Sequence, residues 1–262
     1  MAAIGTGQNF PPEQPTLLQK GLSCFLAIGL VTPALGLFMN LLNKTRIAGR
    51  ENLARLRPPY IVTLNHLSLL DDLFLGPVIF FPNMLKGYHY LPYHAPEERN
   101  FYKKPIIAQF MRYAKAIPIL RGRGVYQEGV NRLINAVSGG GILQIYPEGT
   151  RTRTGEIGDG KEGIGRIVYE SGAPVVPVYH QGMEKVLPIG RGIPRIGNEI
   201  RIAIGKPIMF HDELKQDNTP ATWRLITTKI MDAIREQKTV SELKWGRKPV
   251  RVKVATEPDG VI

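Results

Sequence analysis

Apolar and polar residues along this chain fall into blocks of two kinds. Short runs with few polar positions, at 60–64, 116–120, 142–146, 175–179 and 200–204, read as strands buried on both faces. Between the second and third of these, Val130, Leu133, Ile134 and Val137 recur at helical spacing, and Gly139, Gly140 and Gly141 stop that helix. Near the end, Trp223, Ile226, Ile230 and Ile234 mark a second amphipathic helix. Strands alternating with helices predict an α/β domain with a central, mostly parallel sheet flanked by helices.

One block obeys neither rule. Residues 21–43 carry no charge and are bounded by Lys20 on one side and Lys44 and Arg46 on the other. At ~1.5 Å per residue such a helix is long enough for the ~30 Å hydrocarbon core of a bilayer. Pro33 is expected to kink or break it. The readings are one kinked span, two short helices dipping into one leaflet, or a buried pair of core helices. A cleaved signal fits poorly, since Glu13 and three prolines precede the apolar run, and the lead-in lacks the arginines of a mitochondrial transit peptide. The expected organisation is a poorly ordered lead-in (1–16), a membrane-associating segment (17–46), one catalytic domain (47–240) and a basic tail (241–262).

Charge narrows the partners. The 262 residues hold 34 Lys and Arg against 22 Asp and Glu, a formal charge of +12, which draws the molecule to anionic surfaces. The basic residues are spread along the chain, and no zinc-ligand spacing or RNA-binding signature accompanies them, so nucleic acid is not the expected partner. An anionic membrane fits better. The single cysteine, Cys24, excludes an internal disulfide and any multi-cysteine metal site.

Three strand ends carry candidate chemistry. After the strand at 60–64 comes Asn65-His66-Leu67-Ser68-Leu69-Leu70-Asp71-Asp72. A histidine there can take a proton from an attacking hydroxyl if an acceptor holds its other ring nitrogen, and Asp71, one turn on, can supply that acceptor. After the strand at 142–146 comes Pro147-Glu148-Gly149-Thr150-Arg151. Glycine lets backbone approach a ligand and Arg151 offers a planar fork for phosphate, while Glu148 can hold that arginine or contact glycerol. Arg121-Gly122, after 116–120, repeats the arrangement of strand, cation and glycine. Each motif alone is common. In a parallel sheet the three converge on one edge.

Asn65-His66 with Asp71, Pro147 to Arg151 and Val176-Pro177-Val178, in this order, resemble the motifs of the glycerolipid acyltransferases related to bacterial PlsC, over roughly residues 60–210. Within that family, Arg121 to Gln127, Gly163 to Arg166, His180 to Met183 and Ile204 to Pro207 are similar to the tafazzin group, as is the doubled Asp71-Asp72. Thr150-Arg151 departs from that group and is the form of the acyl-CoA-dependent relatives. The resemblance implies His66 as general base and Asp71 as its orienting partner. Arg121, Glu148, Gly149 and Arg151 then seat phosphate and glycerol, and Pro177 shapes the wall. It implies a membrane enzyme, mitochondrial or of a bacterial cytoplasmic membrane, that acylates a lysophospholipid without metal or cofactor. The acyl donor is either another phospholipid or acyl-CoA. A non-catalytic lipid-binding protein is the alternative of another class.

Overall fold

The computed structural model describes residues 14–247. Most of the lead-in and of the basic tail lies outside these residues. Six strands form one sheet: β1 (Lys44–Ala48), β2 (Tyr60–Leu64), β3 (Pro92–His94), β4 (Ile142–Ile145), β5 (Val175–Gln181) and β6 (Glu199–Ile204). Their spatial order is β1-β6-β5-β2-β4-β3, and every neighbouring pair is parallel except β5 with β6. The mostly parallel α/β architecture expected from the sequence is the one that forms.

Both faces of the sheet are covered, which is why β2 carries no alternation and all five of its residues are buried. On one face lie α1 (Leu17–Leu42) and α2 (Asp71–Phe80), packed over Val62, Leu64, Val176 and Ile202. A short helix, α3 (Pro105–Tyr113), touches the first turns of α1. The opposite face is covered by α4 (Glu128–Ser138), α5 (Glu162–Ser171) and α6 (Pro220–Trp245), over Ile61, Leu143 and Val175.

Several expectations need correction. Residues 116–120 are not a strand: Pro118 has no N–H to give a ladder, and the segment makes only single bridges, Ala116 to His94 and Ile119 to Glu97. Strand β1 escapes the apolar pattern because its side chains alternate between exposed and half-buried, and β3 is too short to carry a period. Helix α6 runs to Trp245, past the boundary expected at 240.

The apolar segment is one continuous helix despite Pro33. Wider π-type turns at Phe25–Val31 and Phe38–Leu42 flank the regular turn Thr32–Leu37, and Thr32 Oγ1 donates to the Ala27 carbonyl at 2.7 Å just ahead of the proline. Extra room in a π turn and a side-chain donor are the usual ways a helix absorbs a proline. Only 17% of its most apolar stretch is buried, which removes the core-helix reading. Both ends rest on the same domain: the first turns on α3, the last through Gly197 N–H donating to the Leu42 carbonyl at 2.8 Å.

The closest crossing in the second layer is at Gly165 of α5, where an added Cβ would lie 2.0 Å from the Trp223 carbonyl oxygen of α6. Gly165→Ala is therefore expected to lower the unfolding free energy by roughly 1–3 kcal/mol, the usual cost of overpacking. Gly163→Ala, whose Cβ meets nothing nearer than 3.9 Å, is expected to be neutral or slightly stabilising. Thermal or denaturant unfolding of the two variants checks both.

Candidate active site

The turn between β2 and α2 is built around one buried carboxylate. Asp71 Oδ2 accepts from Leu67 N–H at 2.8 Å and Ser68 N–H at 2.9 Å, and it lies 2.9 Å from His66 Nδ1. Asp71 opens α2, so its backbone is fixed by the helix while its side chain closes the turn. A carboxylate only accepts, so the imidazole proton sits on Nδ1 and Nε2 keeps its lone pair for the cavity. Burial pushes the Asp71 carboxyl up, but nearby His180, the His66 hydrogen bond and the Ser68 amide outweigh it and hold the group below the usual carboxylate range.

His180 shares that carboxylate from the other side, with Nε2 3.5 Å from Asp71 Oδ2 and 2.7 Å from the Asn65 carbonyl. Asn65 in turn bonds both backbone groups of His180, Nδ2 to its carbonyl at 3.0 Å and Oδ1 from its N–H at 2.8 Å. The ends of β2 and β5 are thereby locked together. Burial pushes the His180 imidazole down, against the opposing pull of the Asp71 carboxylate and the Asn65 carbonyl.

The backbone of His66 is clamped by the motif after β4. Its N–H donates to Glu148 Oε1 at 3.0 Å and its carbonyl accepts from Thr152 N–H at 2.9 Å, while Glu148 Oε2 takes Gly158 N–H at 3.1 Å. Tyr146 lies against the imidazole, ring centroids 4.4 Å apart and near-parallel. Gln144 holds the Tyr146 hydroxyl at 3.1 Å and also donates to Asp72 at 2.8 Å, and Asp72 stands 3.4 Å from His94 Nδ1.

His66 faces a cavity of about 890 Å³. Its lining includes Arg121, Gly149 and Lys161, and also Leu73 and Met84 with Leu26 and Val31 of α1. Arg121 is half exposed and is held by Glu97 Oε2 at 3.1 Å. Gly149 has φ +66 and closes the turn by donating to the Tyr146 carbonyl at 3.0 Å, a conformation that favours glycine. Deeper in the wall, the Lys115 ammonium donates to the Leu91 carbonyl at 2.6 Å between the rings of Tyr88 and Tyr93. Burial pushes its pKa down to about 7.

Of the residues singled out in the sequence, His66, Arg121 and Gly149 line this cavity and Asp71 stands directly behind His66. Glu148 and Arg151 belong to the adjoining loop and do not line it. Pro177 departs from its expected place: it lies inside β5, paired with Thr63, and its ring packs where a Gly205 side chain would be, away from the cavity wall. Sequence reasoning assigned nothing to Asn65, Tyr146 or His180, although all three sit inside or beside the quoted motifs. Among the described residues no cluster of three or more His, Cys, Asp and Glu has a metal-holding arrangement.

A family model described as Acyltransferase matches residues 44–181. The chain is 30% identical over 246 residues to the Tafazzin of Drosophila melanogaster, covering 87% of this chain and 65% of the fly protein. It is 32% identical over 210 residues to the Taffazin of Dictyostelium discoideum, covering 74% of this chain and 71% of that one. The crystal structure of the 1-acyl-sn-glycerophosphate acyltransferase PlsC from Thermotoga maritima superposes with TM-score 0.56 at 20% identity, over 86% of this chain and 95% of that one, a likeness of fold. The match to the family model, over more than half of its length, and the likeness to the slime-mould protein make this chain a member of the glycerolipid acyltransferase family.

Proposed function

We propose that this protein moves a fatty acyl group from a phospholipid to the free hydroxyl of a lysophospholipid, with His66 as general base and Asp71 as its orienting partner. The observation that carries the reading is the His66–Asp71 pair, 2.9 Å apart, opening onto a cavity whose lining includes the membrane-type helix α1. His66 Nε2 takes the proton of the acceptor hydroxyl as its oxygen attacks the acyl carbonyl carbon. Asp71 balances the imidazolium that forms. The tetrahedral centre collapses, the bond to the donor's glycerol oxygen breaks, and His66 returns the proton to that oxygen. One new ester and one new lysolipid leave, with no net change of charge. Catalysis needs no acyl-enzyme in this scheme.

Arg121, paired with Glu97 and lining the cavity, is the residue we assign to the substrate phosphate; Arg151, outside the lining, takes no part in this scheme. Gly149 lets the backbone turn close to the glycerol. Glu148 acts through His66, by fixing its backbone, more than through the ligand. A two-chain lipid is costly to lift into water, so the cavity is read as opening at bilayer depth.

A second reading keeps the same base and cation but takes acyl-CoA as donor. Thr150-Arg151, the form of the acyl-CoA-dependent relatives, is the observation that favours it.

His66→Ala is expected to slow acyl transfer by about 10²–10⁴-fold while leaving vesicle binding unchanged; equal rates for variant and parent, read by lipid chromatography, would falsify the role of the base. With purified protein and mixed liposomes, exchange is expected without any acyl-CoA. A strict requirement for acyl-CoA selects the second reading instead. Asp71 has a folded pKa below its unfolded value, so its contribution to stability is complete above about pH 4 and is lost as pH falls through the lower folded value. Asp71→Asn is accordingly expected to flatten the acid side of the stability–pH curve, measured by urea unfolding.

A further inference from the structure

The loop at residues 188–197 has Gly and Pro at half of its positions, and the rest are three isoleucines and two arginines. Ile193 is 81% exposed and Ile196 64%, with Arg191 and Arg195 interleaved. From residue 185 to 198 the chain carries Lys185 and those two arginines and no acidic residue. A loop tip in water normally presents polar side chains.

Its backbone is not free to fold the isoleucines away. Arg191 N–H donates to the Pro188 carbonyl at 3.1 Å and Arg195 N–H to the Val186 carbonyl at 2.7 Å. Gly197 N–H bonds the Leu42 carbonyl, and Asn198 N–H bonds Asn43 Oδ1 at 2.9 Å. The loop is therefore stapled to the C-terminal end of α1. At the other end of α1 stands α3, which exposes Ile106 (84%) and Phe110 (38%) just after Lys103-Lys104 and also lacks acidic residues. Helix α1 is roughly 39 Å long by its residue count. Two exposed apolar, basic elements thus bracket it, one at each end.

We infer that residues 188–197 are a second membrane-insertion element for an anionic bilayer, entering the same leaflet as α3 at the opposite end of α1, so that α1 lies in the membrane plane. Two observations select lipid as the occupant. The exposed isoleucines are stapled by the Gly197–Leu42 hydrogen bond to the end of a helix that itself exposes Leu18, Phe25, Leu37 and Leu41. The flanking charges are all positive, as anionic headgroups require. A perpendicular α1 would place its two ends at opposite faces of the bilayer, yet both ends rest on one α/β domain, the first turns by packing on α3 and the last by hydrogen bonds. The inference concerns docking alone and stands whether or not His66 is the base.

The single native cysteine makes the test direct. In a Cys24→Ser background, a nitroxide is attached in turn through Leu18→Cys, Ile106→Cys, Ile193→Cys and Asp212→Cys, and its collision rates with oxygen and with a water-soluble nickel complex are measured. The vesicles are phosphatidylcholine with and without phosphatidylglycerol. The labels at 18, 106 and 193 are expected to enter the oxygen-rich acyl region together, while the label at 212 stays in water. Arg191→Gln with Arg195→Gln is expected to weaken binding to the anionic vesicles by about tenfold or more and to leave binding to phosphatidylcholine alone little changed. A label at 193 that stays in water while the label at 18 enters lipid overturns the proposal. So does spin–spin broadening at 193 without lipid, which would assign the loop to contact with a second copy of the chain.

Discussion

A carboxylate cannot sit dry without donors, and one oxygen of Asp71, Oδ2, collects its three closest from a single turn. Two backbone amides, the His66 ring and, at longer range, the His180 ring surround a side chain that is fully buried. The constraint fixes more than a carboxyl group. It sets which imidazole nitrogen bears the proton, and hence which one faces the cavity. It also fixes the turn leaving β2, because Leu67 and Ser68 must both point their N–H groups inward.

The same turn is held from the opposite side by a second buried carboxylate. Glu148 ties the His66 amide to Gly158, and burial pushes its own carboxyl up while those two amides pull it back down. Two acidic side chains from two neighbouring strand ends thus bracket one histidine. Tyr146 completes the seat by lying flat on the ring, which resists rotation about the side-chain bonds. Contacts of this kind hold the imidazole in one orientation before any ligand arrives.

The fold was largely legible because its central strands are buried on both faces. Short, mostly apolar runs such as 60–64 and 142–146, each with a single buried polar residue, read as strands beside helical blocks. Legibility failed where tertiary context overrides composition. The 116–120 run is apolar enough for a strand, but Pro118 denies it a ladder; β1 is a strand because β6 pairs with it, not because its own residues alternate cleanly. In the site, His66 and Asp71 could be matched because their partnership is local, five residues apart across one turn. Asn65 with His180 could not, since 115 positions separate them and only the β2–β5 pairing brings them together. Pro177 shows the reverse error: a motif residue next to functional neighbours in sequence, whose job is to pack against Gly205.

The cavity joins these two halves of the molecule, with polar machinery and a membrane-type helix both in its lining. What makes that junction chemical rather than merely greasy is the lone pair on His66 Nε2. Two-bond nitrogen–proton correlation spectra of the imidazoles in detergent or nanodiscs report that nitrogen directly. The account predicts that at neutral pH His66 carries its proton on Nδ1, toward Asp71, with Nε2 bare. A proton found on Nε2 would turn a donor toward the cavity and contradict the assignment of His66 as the base.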